Sequence, residues 1–173
     1  MIYGFLLSFV IWNIINLIIM NLNLPDKHLK REDMLDMRNR MVSFIHGFLL
    51  MFLSGYHTYF MHSECGQKNT DYEIFIVLLS AGYFFYDLVA MAYFGLLDAG
   101  MFIHHNMCVM GMSIALAQGI STNYIVLGLF VAEISNPAMH VRMVVKHLGM
   151  RYTKLYEVSE LTYICKFNIR HSF

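Results

Sequence analysis

Long apolar runs separated by short polar segments dominate the chain. The first, from Ile2 to Leu24, carries no charge and is about long enough to cross a bilayer, which takes about 20 apolar residues in an α-helix. Comparable runs follow at about Met41 to Met61, Ile74 to Leu97, Met101 to Ala117 and Tyr124 to Val145, and a last one begins at Leu155. A lone helix satisfies its own backbone polar groups in hydrocarbon, so this pattern predicts an all-α membrane protein with about six transmembrane helices. Residues 1–24 are expected to form an N-terminal transmembrane helix, since they have no basic segment or small-residue cleavage site of a signal peptide. Asn13, Asn16, Asn21 and Asn23 are costly towards lipid, which predicts that some of them face other helices. The fourth run is near the short limit, and the sixth carries Lys166, Arg170 and His171, so that its end is expected either in the interface or in a truncated helix.

Composition agrees with the pattern. Hydrophobic residues make up 58% of the chain and charged ones 14%, against about 45–50% and 25% in soluble domains. A net charge of zero, with no basic patch interleaved with aromatics, excludes a nucleic-acid partner. Cys65, Cys108 and Cys165 are far apart and form no CxxC, so they signal neither a disulfide framework nor a zinc ribbon.

Charge also sets the expected orientation. Lys27, Lys30, Arg31, Arg38 and Arg40 precede the second run, while Arg142, Lys146, Arg151 and Lys154 follow the fifth. These two segments fall on one side of the membrane, and the loops on the other side are poor in cations. The positive-inside rule then places the N-terminus outside or in the lumen.

Ionisable residues inside the runs are the candidate chemistry. Asp87 interrupts an otherwise uncharged third run, at a cost of roughly 2.5–3.5 kcal/mol at a helix centre. A partner on another helix, a protonated carboxyl or a watery cavity would each compensate it, and a plain interhelical contact is as open as a functional site. His104 and His105 open the fourth run; adjacent helical side chains point about 100° apart, so one is expected to act while its neighbour supports. Such a pair suits general-base or nucleophilic chemistry without a cofactor. Too few further histidines stand at short spacing for a metal site, and none is expected.

Glu133, Asn136 and His140 are spaced to share one helix face, and Pro137 between them is expected to kink the helix and open its backbone. Together they predict a polar pocket lining, or else a kinked helix with buried packing contacts. Arg142 and Lys146 continue towards the basic side, where reaching lipid phosphates is the default role. Ser43 and His46 bring a polar stripe into the second run.

Taken in order, Asn39-Arg40 with Ser43 and His46, Gly82-Tyr83 with Asp87, Phe102-Ile103-His104-His105, and Ala132-Glu133-Ile134-Ser135-Asn136-Pro137 with Arg142 resemble the pattern of the TLC (TRAM/LAG1/CLN8) domain family. The resemblance covers 33–173. It is nearest to the TLC domain-containing transmembrane proteins and extends more distantly to the ceramide synthases, which acylate a sphingoid base from acyl-CoA within a helical barrel in the endoplasmic reticulum. It implies a TLC-type helical barrel, here partial because the sequence stops at Phe173, one helix short of the usual family length. It also implies a membrane protein of lipid homeostasis that binds or senses lipids or acyl chains, with endoplasmic reticulum as the expected membrane. His104, His105, Asp87 and Glu133 would be catalytic if it is an enzyme. His46, Tyr83, Asn136, His140 and Arg142 would bind lipid.

An enzymatic version is an acyl-CoA-dependent acyltransferase, with acyl-CoA as co-substrate and no bound cofactor. The synthases carry His-Asp-x-Ser-Asp where this chain has Ala132-Glu133-Ile134-Ser135-Asn136. The alternative reading is a non-catalytic accessory subunit or scaffold, in which a protein partner completes the helical bundle.

Overall fold

The structure, a computed structural model, describes residues 1–24, 28–61, 64 and 66–169, with side chains up to 162. Lys27, His62, Cys65, Arg170 and His171 therefore lie outside the described residues, as do the side chains of Cys165 and Lys166. Among the described residues seven helices follow one another: α1 (Ile2–Met20), α2 (Arg31–Phe60), α3 (Asp71–Phe94), α4 (Ala99–Gln118), α5 (Thr122–Glu133), α6 (Asn136–His147) and α7 (Lys154–Ile169).

Local signals set several of these ends. Thr70 and Glu73 form a reciprocal capping box at the start of α3, and the Asp98 carboxylate accepts from the Met101 amide at 2.8 Å to start α4. Gly95 and Gly119 close α3 and α4 with φ of 72°, a left-handed conformation that glycine adopts without Cβ strain.

The chain is an all-α membrane protein. Helix stands at each of the six expected runs, and among the described residues four segments are long and apolar enough to cross a membrane: α1, α3, α4 and the stretch Thr122–His147 made of α5 and α6. Helix α2 has 30 residues, about 45 Å at 1.5 Å per residue, and so exceeds a hydrocarbon core of about 30 Å. Its surplus is the charged first turns, which carry Arg31, Glu32, Asp33, Asp36, Arg38 and Arg40. The fifth run is interrupted at Ile134 and Ser135, and Pro137 sits in the first turn of α6. Proline fits there because its missing N–H would have had no intrahelical acceptor. The bend thus precedes the proline.

Helix α3 is the hub. It packs against α1, α2, α4 and α5, and 61% of its span-length window is buried, against 17% in α1 and in α4. Helix α1 lies along α3, where Ser8 Oγ and Trp12 Nε1 both donate to the Leu79 carbonyl at 2.9 and 3.1 Å. Gly82 permits this approach, for a Cβ there would overlap Ser8. The asparagines of this segment divide: Asn13 and Asn21 are exposed, and their amides donate back to the carbonyls of Phe9 and Leu17, while Asn16 is half-buried with its Oδ1 shielded from solvent.

Both ends of the bundle are pinned by polar contacts. At the basic end, Asp36 of α2 bonds Arg40 at 2.8 Å and His147 of α6 at 3.0 Å. Arg38 reaches the end of α1 and donates to the carbonyls of Ile19, Met20 and Leu22. At the opposite end, Glu73 accepts from Thr122 at 3.1 Å and lies 2.8 Å from His57 Nε2, while Asn69 donates to the Ala115 carbonyl.

Candidate functional site

A cavity of about 590 Å³ lies between α2, α3, α4 and the α5–α6 bend. Eight of the nine residues named as site candidates from the sequence line it: His46, Tyr83, Asp87, His104, His105, Glu133, Asn136 and His140. Arg142 does not. Its guanidinium instead meets Glu160 of α7 at 3.2 Å.

Asp87 is 3% exposed and fully engaged. Its Oδ1 accepts from Asn39 Nδ2 at 2.7 Å, and its Oδ2 lies 2.8 Å from His105 Nε2. The Asn39 carbonyl oxygen in turn accepts from the Tyr86 hydroxyl at 3.3 Å, which fixes the amide with its nitrogen towards the carboxylate. The compensation demanded by an acid at helix-centre depth therefore comes from partners on α2 and α4.

The histidine in this pair is constrained as well. His105 Nδ1 lies 2.8 Å from the Met101 carbonyl, a group that only accepts, so this nitrogen carries a proton. The contact to Asp87 then needs one further proton between carboxyl and imidazole, held on one or the other. Either way the pair is neutral as a unit, and both ring nitrogens of His105 are committed to protein partners.

The neighbour on α4 is placed differently. His104 is exposed, its ring stands at 89° to that of His105, and its Nε2 lies 3.8 Å from Cys108 Sγ. Among the described residues its Nδ1 has no hydrogen-bond partner. The adjacent histidines thus divide into one buried positioning ring and one accessible ring, as the 100° offset between helical neighbours dictates.

The second acid sits on the other wall. Glu133 Oε2 accepts from Asn136 Nδ2 at 2.9 Å, so the i, i+3 face expected from the sequence is realised across the bend. Its Oε1 lies 3.8 Å from His46 Nδ1. Gly47 makes room for this, because a Cβ there would come within 2.8 Å of Glu133 Oε2. His46 is 2% exposed, stacks on Tyr83 with ring centroids 3.7 Å apart, meets the edge of Trp12, and has Nε2 3.3 Å from Ser80 Oγ. On α6, His140 has its Nδ1 buried with no hydrogen-bond partner among the described residues.

Besides Ser43, the remaining lining is apolar or small: Phe84, Met101, Met107, Cys108, Gly111, Met112, Ile125, Gly128, Leu129, Ala132 and Met139. Cys108 and the Gly111 and Gly128 positions were not expected from the sequence. The helical offsets Cys108 to His104 and Gly111 to Cys108 are the only signal that could have placed them on the histidine face. Asn39, which holds Asp87, was legible only as part of a motif. Among the described residues no group of three or more His, Cys, Asp or Glu could hold a metal ion.

Chemically the arrangement offers a mostly apolar chamber with a polar wall. Its carboxylates already have protein partners, while the imidazoles of His104 and His140 each keep a nitrogen with no partner among the described residues. A family model described as the TLC domain matches residues 32–169. No solved structure matches the chain.

Proposed function

The protein belongs to the TLC domain family and is an integral membrane protein linked to lipid metabolism or sensing, and from that premise we propose that it binds an acyl lipid in the cavity between α2 and α6. The observation that carries this reading is a chamber of about 590 Å³, set among span-length helices, whose walls are largely apolar yet hold the Asp87–His105 pair. Binding pockets combine such walls with a few placed polar groups. Intramembrane ionisable residues that face an interior mark functional sites by default.

In this reading Asp87, Asn39 and His105 position the polar wall, and His104, Asn136 and His140 meet the head of the lipid. His46, Tyr83 and Glu133 shape the wall beside it. Arg142 acts outside the chamber, where it holds α7. Residence in the endoplasmic reticulum forms part of the proposal, and imaging of the tagged chain against organelle markers tests it.

Acyl transfer from acyl-CoA is the narrower version. It needs an imidazole nitrogen able to take a proton, and the geometry favours His104 for that part, because His105 spends both nitrogens on Asp87 and Met101. The test has two arms on the purified full chain. Native mass spectrometry in mild detergent should show co-purified lipid that is reduced in the Asn136→Leu, His140→Leu double variant; protein that carries none in either form overturns the binding reading. Incubation with acyl-CoA and amine or lysolipid acceptors should show product that His104→Gln abolishes, and no product at all leaves a binding protein.

A further inference from the structure

The cavity has two unlike ends, and the helix directions assign them to opposite depths of the membrane. His105 is one and a half turns into α4, about 9 Å from its start, and Asp87 is about 10 Å from the end of α3. Both of those helix ends face the side on which α2 begins and α6 finishes, the side of Arg40 and Lys146. Asn136, His140 and Ser43 line the cavity from the same half. Gly111, by contrast, is about 18 Å along α4, and Gly128 is about 9 Å into α5 from the other side. There the lining is Met112, Ile125 and Leu129.

The wall between α4 and α5 is thin. These two helices touch little, whereas each packs well on other neighbours. Met107 and Gly111 of α4, and Gly128 and Ala132 of α5, line the cavity and are nevertheless exposed. A Cβ built on Gly111 or on Gly128 would meet nothing within 4 Å. Since both helices belong to span-length apolar segments, this gap faces hydrocarbon rather than water.

We propose that an acyl lipid of the leaflet on the basic side enters the cavity sideways, through the slot between α4 and α5, with its head against the polar wall and a chain passing Gly111 and Gly128. The polarity gradient fixes the direction: head towards Asp87, His105 and His140, tail towards Met112 and Leu129. A cavity polar at one end and apolar at the other matches a molecule built the same way, and a lateral opening lets the chain leave the bilayer without crossing water. The small residues at the rim supply the width, and the Met107 side chain, flexible and unbranched, lines the same rim. This inference rests on the lipid-binding reading above.

The experiment uses the full chain in nanodiscs, loaded with a lipid carrying a photoactivatable group either near its head or near the end of its chain. After illumination, the head-proximal probe is expected to mark peptides around His104 and His140, and the tail probe those around Met112 and Leu129; the reverse pattern overturns the assigned direction. Exchange of bound for labelled lipid is then followed in Gly111→Leu and Gly128→Leu, which improve helix propensity and so do not threaten the fold, and in Met107→Ala. Exchange severalfold slower in the leucine variants and faster in Met107→Ala is the expected result. Unchanged exchange in all three, with lipid still bound, overturns the slot and leaves the binding reading standing; no bound lipid in any form overturns both.

Discussion

His105 and Asp87 meet at 2.8 Å across α4 and α3, and the second nitrogen of the histidine donates to the Met101 carbonyl one turn earlier in its own helix. The imidazole is thereby held in one orientation by a backbone group while it neutralises an acid that would otherwise be costly at this depth. The pair is as much a structural joint as a wall of the cavity.

Removing one half of that joint should therefore destabilise the protein strongly. His105→Leu leaves the Asp87 carboxylate buried with only Asn39, and loss of one partner of a buried pair costs about 3–5 kcal/mol. Thermal unfolding in detergent should show a large fall in Tm for His105→Leu and a small one for the exposed His104→Leu. Equal falls would mean that the two adjacent rings are not divided as described.

Asn39 is expected to follow His105. Asn39→Leu removes the 2.7 Å bond to Asp87 and the acceptor of the Tyr86 hydroxyl, leaving buried polar atoms unsatisfied at about 1–3 kcal/mol. Because the Asn39 amide and the Asp87 carboxylate are the two halves of one bond, the double variant Asn39→Leu, Asp87→Leu should cost less than the sum of the single changes. Simple additivity in the same melting assay would contradict a shared network.

Gly82 and Gly47 are predicted to be intolerant of alanine for separate reasons. At Gly82 a methyl group meets Ser8 and comes within 2.9 Å of the Phe9 amide nitrogen, so α1 must move away from α3. Trimming the side chain in Ser8→Gly, Gly82→Ala should not restore stability, since the backbone obstacle stays. At Gly47 the obstacle is the Glu133 carboxylate, so Gly47→Ala should disturb the cavity wall and reduce bound lipid on mass spectrometry. Overpacking of this kind costs about 1–3 kcal/mol. Full rescue of Gly82→Ala by Ser8→Gly would show that only the side chain mattered.

Arg38 ties the end of α1 to the bundle through three carbonyls, on residues Ile19, Met20 and Leu22. Arg38→Ala should expose these groups and loosen the last turn of α1, with faster amide hydrogen exchange from about Leu17 to Asn21 and little change in α3. Arg38→Lys should restore only part of the protection, because one ammonium cannot reproduce the planar fork. Protection unchanged in Arg38→Ala would remove the cap from the account.

How much of this was legible in the letters depends on how local the cause is. The helices came through because a span-length apolar run has only one economical backbone solution in hydrocarbon, and that solution is satisfied within each segment. The facing of Glu133, Asn136 and His140 came through too, since it depends only on helical spacing. The bend expected from Pro137 is found at Ile134 and Ser135, inside the turn whose hydrogen bond to the Glu133 carbonyl a proline cannot make. Of the asparagines in and after α1, some of which are expected to face other helices, Asn13 and Asn21 bond carbonyls of their own helix, while Asn16 is half-buried with its Oδ1 shielded from solvent.

The letters alone carry an all-helical membrane chain and the polar residues available to a cavity, and loop charge adds an expectation of sidedness. It takes helix packing to bring Asn39 and His105, 48 and 18 positions from Asp87, onto the same carboxylate. Packing alone decided that His105 is buried and His104 exposed, that Arg38 caps α1, and that α4 and α5 leave a slot. The reason is physical: spacing along one helix fixes which side chains share a face, but it carries no information about the angle and depth at which another helix arrives. In the bilayer those are settled by close contacts at a few small residues, such as Gly82 against Ser8 and Gly47 against Glu133, and such contacts leave no period in the sequence.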